Sequence, residues 1–109
     1  MQFTKIEIIS FFKLYSMAKR RCDEIEYLLY GNPDNKDYNE RFSFYSYIVK
    51  TVDTWMENLE LDEKEIMALR FKENLTFNDI AIRLNYASHS SVMYKYETIL
   101  DKIMRGGNT

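Results

Sequence analysis

Apolar residues in this chain return every three or four positions through five separate stretches, the spacing of one face of an α-helix. The first stretch runs from about Thr4 to Tyr30. Ile8, Phe11, Tyr15, Ala18, Cys22, Ile25 and Leu29 form a heptad-like seam, and Ile9, Phe12 and Leu28 widen it. Gly31 stands where a helix stop is expected, and Pro33 follows closely. The polar run Gly31 to Asn39 reads as a turn joining antiparallel helices. A second helix, about Glu40 to Glu60, carries Phe42, Tyr45, Val49, Val52, Met56 and Leu59, with Phe44, Ile48 and Trp55 on a further apolar line. Both stripes are wider than a strict heptad seam, so each helix is expected to touch more than one neighbour. Such seams fit a hairpin, a dimeric coiled coil, or both.

A third helix is expected from Asp62, with Glu65 completing an acidic capping box, Ile66, Leu69 and Phe71 facing inward, and an end near Glu73-Asn74. The last two patterns are short and closely spaced. Thr76 caps a helix through Asp79, with Ile80, Ala81 and Leu84 as its apolar face. Asn85, Tyr86 and Ala87 interrupt it, and Ser88 caps a second helix whose apolar line is Val92, Tyr96, Ile99 and Ile103. Two helices across so tight a turn, the second opening on small polar side chains, have the form of a helix-turn-helix. The expected fold is therefore all-α: a helical hairpin over residues 1–61, a tri-helical helix-turn-helix unit over 62–105, and a frayed tail over 106–109.

Composition sharpens this picture. Three Gly and one Pro in 109 residues leave little room for turn-rich β structure, and 46% apolar residues suffice for a core. The single Cys22 excludes an internal disulfide and, with only one His, excludes a Cys/His zinc module. A lone cysteine suits a reducing compartment, so a cytoplasmic location is expected. The segment Ile6 to Met17 is too short and too charged to cross a bilayer, which points to a folded helix and to no membrane partner. Net charge is −2, where a nucleic-acid binder commonly shows a basic excess. Residues 62–109 carry seven basic and seven acidic side chains, so the helix-turn-helix region is neutral.

The segment Glu65 to Ile103 resembles the helix-turn-helix of the fourth region of sigma factors. The matching residues are Leu69-Arg70-Phe71, Leu75-Thr76, Ile80-Ala81, Leu84, Ser88, Val92, Ile99-Leu100 and Ile103, over a little more than a third of the chain. With the N-terminal helices and the stretch YSYIVKTVDTWMENLELDEKE, the whole is similar to small ArpU/RinA/LtrC-type regulators of late transcription in phages of Gram-positive bacteria. The resemblance implies a phage-encoded transcription regulator that binds double-stranded DNA at a promoter. Three departures stand out. Asn85 replaces the usual Gly, the turn is one residue longer, and His89, Ser90 and Ser91 occupy the tip where sigma factors carry charged residues.

On a helical wheel centred on Val92 and Ile103, the base-reading candidates are His89, Ser90, Ser91, Tyr94 and Lys95. Serine discriminates base edges poorly, so specificity would lean on Tyr94 against a thymine methyl and on DNA shape. Phosphate contacts are expected from the helix starts at Thr76 and Ser88 and from Lys72, Arg83 and Lys102, about three to five per protomer with a modest salt dependence. Dimerisation, or contact with RNA polymerase, is expected through Ile8, Phe11, Tyr15, Tyr45, Val49 and Trp55. The run Lys19-Arg20-Arg21 reads as a solvated face, and the tyrosines as packed rings with hydroxyls at the rim. No phosphate loop, metal-ligand spacing or nucleophile–base motif is present, which argues against an enzyme and against a cofactor or metal. The rival reading is a helical inhibitor or adaptor that uses the same fold to engage a transcription or defence protein, favoured by the acidic balance and the surface aromatics.

Overall fold

A computed structural model describes residues 2–106 of the chain. It is all-helical: α1 (Lys5–Gly31), α2 (Lys36–Glu57), α3 (Leu61–Phe71), α4 (Phe77–Leu84) and α5 (His89–Gly106), with no strand among the described residues. None of these helices is long and apolar enough to cross a membrane. The molecule is elongated, 54 × 29 × 21 Å, because α1 and α2 pack along each other and project beyond the three shorter helices.

Local chemistry sets the helix boundaries. At the start of α1 the Glu7 N–H donates to Thr4 Oγ1 at 3.2 Å, and the Thr4 N–H donates to Glu7 Oε1 at 2.9 Å, a reciprocal capping box. α2 begins four residues earlier than its apolar pattern suggests. Asn35 Oδ1 accepts from the Tyr38 N–H at 2.9 Å and caps the helix there, while Asn39 Nδ2 bonds the carbonyls of Pro33 and Asn35. Only residues 32–35 are left to make the turn. α3 also starts earlier than expected: the Glu60 N–H donates to Glu63 Oε1 at 2.8 Å, so Glu60 and Glu63 form the cap assigned from sequence to Asp62 and Glu65. At the other end of the chain Gly106 closes α5, and the remaining tail residues 107–109 lie outside the described residues.

One apolar cluster runs through all five helices. Ile8 and Phe12 of α1 and Val52 and Trp55 of α2 join Ile66, Met67 and Leu69 of α3, Ile80 and Ala81 of α4, and Val92, Tyr96, Ile99, Leu100 and Ile103 of α5. The sequence position between 61 and 62 therefore does not divide the core. A series of rings links its parts. Phe12 lies 5.8 Å from Trp55 and stacks on Phe71 at 5.1 Å, Phe71 lies 6.2 Å from Tyr96, and Tyr96 lies 5.1 Å from Phe77. Beyond Ala18 the α1–α2 pair thins to a narrow seam holding Ile25 and Ile48, and Tyr27, Tyr30 and Phe44 stand exposed.

The turn from α4 to α5 depends on one backbone conformation. Asn85 adopts φ 64° and ψ 33°, in the left-handed region, and the following Tyr86 N–H closes onto the Ala81 carbonyl at 2.9 Å. Asparagine tolerates that region and β-branched residues do not. Accordingly, Asn85→Gly should leave stability unchanged or raise it by about 0.5 kcal/mol, and Asn85→Val should lower it by about 1–2 kcal/mol. Urea denaturation followed by circular dichroism checks the pair, and equal stability of the two variants would contradict the assignment.

Candidate nucleic-acid interface

The α4–α5 pair is braced before it presents anything to solvent. Arg70, in the Leu69-Arg70-Phe71 motif, donates from Nη1 to the Leu75 carbonyl at 3.0 Å, and its guanidinium lies 4.1 Å from the Phe77 ring. It fixes the loop from α3 to α4 by a bond and a stacking contact. Thr76 Oγ1 then accepts from the Asp79 N–H at 3.1 Å and starts α4. Ser88 Oγ accepts from the Ser91 N–H at 3.4 Å and starts α5. Both helix starts thus fall where the sequence puts them, each with a side-chain oxygen in place.

The residues at the tip divide into two sets. His89, Ser90 and Tyr94 are exposed, Tyr94 by 77%. Ser91 is half-buried, with its hydroxyl 3.4 Å from that of Ser88, so it belongs to the cap more than to the surface. Lys95 is turned back onto α3, where its ammonium meets Asp62 Oδ2 at 3.1 Å. The same pairing recurs two turns along α5. Lys102 donates to Glu63 Oε1 at 2.8 Å, and Glu63 is the one charged residue among the buried described residues. At α1, Lys5 sits 3.1 Å from both Glu97 and Asp101 of α5.

These contacts bear on two of the expected roles. Lys95 pairs with Asp62 of α3 and is half-buried, unlike the exposed His89, Ser90 and Tyr94. Lys102 satisfies a buried carboxylate, which would lose this ammonium partner if Lys102 turned to a phosphate. Arg83 pairs more loosely with Glu73 at 3.7 Å, and both remain half-exposed. Lys72 is exposed, makes no ion pair among the described residues, and lines a cleft between α1, α2 and α3.

Two of the residues expected at a dimer interface are also corrected. Ile8 is fully buried and Trp55 is 7% exposed, both inside the core of a single chain, so neither has surface to offer a partner. Phe11, Tyr45 and Val49 are half-buried. Tyr15 donates its hydroxyl to Asp53 Oδ1 at 2.6 Å, and burial together with that bond pushes its pKa up to about 12. The exposed apolar residues of α1 and α2 are instead Ile6, Leu14, Leu28, Phe44 and Tyr47, besides Tyr27 and Tyr30. On α4 and α5 the exposed apolar side chains Ile82 and Met93 were not singled out by spacing, because each lies off the buried stripe.

The electrostatics follow from the pairing. Burial alone pushes the Glu63 carboxyl up. The bonds from Lys102 and the Glu60 N–H, with the charges of Lys102 and Lys95, outweigh it and leave Glu63 below its ordinary value. The bond from Lys95 likewise lowers Asp62. No group of His, Cys, Asp and Glu among the described residues is arranged to hold a metal ion. Comparison of the chain with known protein families, with curated protein sequences and with solved structures finds no match.

A carboxyl with a depressed folded-state pKa contributes stability above its unfolded value, near 4.5 for Glu63, and loses it as pH falls through the folded value. Thermal unfolding scanned from about pH 6 to about pH 3 should therefore show a falling Tm, with a shallower fall in Glu63→Gln. At neutral pH that variant should be less stable by about 1–3 kcal/mol. Parallel Tm–pH curves for the two proteins would show that the Glu63–Lys102 contact does not couple to folding.

Proposed function

We propose that this chain is a DNA-binding transcription regulator that presents α5 to the major groove. The observation that carries the reading is the pair of capped helices joined through left-handed Asn85, with His89, Ser90 and Tyr94 exposed on the first turns of the second helix. The free N–H groups at the starts of α4 and α5 favour phosphate, and Arg83 adds a loosely held cation. With Lys95 and Lys102 engaged by Asp62 and Glu63, we expect about two or three phosphate contacts per protomer, hence a shallow salt dependence. Base recognition then rests on His89, Ser90 and Tyr94 and on DNA shape. In this reading a second copy pairs through Leu14, Phe44 and Tyr47 in place of Ile8 and Trp55, and the regulator acts at a promoter by recruiting or blocking RNA polymerase.

The withdrawal of two cations also favours a second reading, a protein-binding adaptor. Its contact surface would combine Tyr94, Ile82 and Met93, apolar groups that a phosphate backbone does not use.

Fluorescence anisotropy separates the two readings. Titrations use a random duplex and duplexes from the DNA flanking the protein's own gene, at low and near-physiological salt. The regulator reading expects sequence-dependent binding that survives the higher salt. Tyr94→Ala should weaken the specific duplex about tenfold and leave the random duplex unchanged. Absence of binding even at low salt would reject it in favour of the adaptor.

A further inference from the structure

A cleft of about 550 Å³ opens between α1, α2 and α3. Its volume lies within the range of small-molecule sites. The floor is apolar: Phe12, Val52, Met56, Met67 and Phe71. The rim is charged, and unevenly so. Lys19, Arg20 and Lys72 face Asp23 and Asp53, in a chain whose net charge is −2. Asp53 already accepts the Tyr15 hydroxyl at 2.6 Å, and Lys19 lies 5.8 Å from the Tyr15 ring. Among the described residues none of the three cations forms an ion pair, whereas Lys5, Lys95, Lys102 and Arg83 are each held by a carboxylate.

We propose that this cleft binds a small organic monoanion, an aryl or short acyl chain ending in a carboxylate. The apolar floor takes the hydrocarbon body, and Arg20 and Lys72, one from α1 and one from α3, take the head group. Three cations against two carboxylates leave a single positive charge at the rim. That balance suits a monoanion, while a phosphate dianion would meet repulsion from Asp23 and Asp53. The occupied volume is too small for a stable protein interface, which needs a far broader surface. The site is separate from the α4–α5 tip, and the proposal does not depend on DNA binding. It gives Lys19 and Arg20 a role beyond solvation.

The test uses three ligands with one apolar body: 4-phenylbutyrate, 4-phenylbutan-1-ol and 4-phenylbutylamine. Binding to the full chain is followed by amide chemical-shift titration and by emission of Trp55, the single tryptophan, whose ring lies 5.8 Å from Phe12 of the cleft floor. Phenylbutyrate should give saturable shifts at Lys19, Ala68 and Lys72, with the alcohol about tenfold weaker and the amine weaker still. The double variant Arg20→Ala with Lys72→Ala should weaken phenylbutyrate about tenfold and leave the alcohol unchanged, which also certifies its fold. Ala68→Leu, which adds bulk to the cleft wall, should weaken both ligands. The proposal is overturned by the absence of saturable shifts at these residues. It is equally overturned by equal affinity for acid and alcohol, or by a double variant that binds phenylbutyrate as the native chain does.

Discussion

The structure turns on the ring of Phe12. It is the one aromatic side chain that contacts both Trp55 of α2 and Phe71 of α3, so the long helix pair and the shorter helices meet across it. Phe71 passes the contact on to Tyr96, and Tyr96 to Phe77, so four further rings register the packing of α2, α3, α5 and α4 through one residue of α1. Removing a buried phenylalanine ring costs about 3–5 kcal/mol, against a typical total stability of about 5–15 kcal/mol. Ile8, fully buried, supplies area but no stacking geometry.

Packing fixes the face of α5 that carries Val92, Ile99 and Ile103. Polar contacts add pins along its flanks. Lys95 and Lys102 reach Asp62 and Glu63 at the start of α3, and Glu97 and Asp101 reach Lys5 at the start of α1. The exposed pairs contribute little each. The Glu63–Lys102 contact differs, because Glu63 is buried and also caps α3, so one carboxylate positions a helix start and a neighbouring helix together. What α5 shows to solvent on its first turns is set by what its cations do on its flank.

Local chemistry was readable in the chain and long-range pairing was not. The caps at Thr76 and Ser88 each depend on residues within a few positions of one another, and each is found as the spacing implies; Asn85 turns left-handed where the resemblance places a Gly. The starts of α2 and α3 were displaced because Asn35 and Glu60 cap helices ahead of the first apolar residue, where periodicity carries no signal. Ile8 and Trp55 read as available to a second chain because a three-and-four spacing marks a covered face without saying what covers it; the core of the same chain takes both, with Phe3, Phe11 and Phe12 around Trp55. Lys102 looked available to phosphate because its partner stands 39 positions away. Of the candidate tip, the helix starts and the exposure of His89, Ser90 and Tyr94 were legible, and the engagement of Lys95 was not.

The Lys95–Asp62 pair has a consequence for any anion that approaches α5. An incoming phosphate competes with Asp62 for Lys95, so part of what the phosphate gains is offset by loss of the internal pair. Lys95 therefore behaves as a cation under internal competition: its affinity for an outside anion is measured against a carboxylate of its own chain, and protonating or removing Asp62 would raise that affinity with no change to the surface the anion meets.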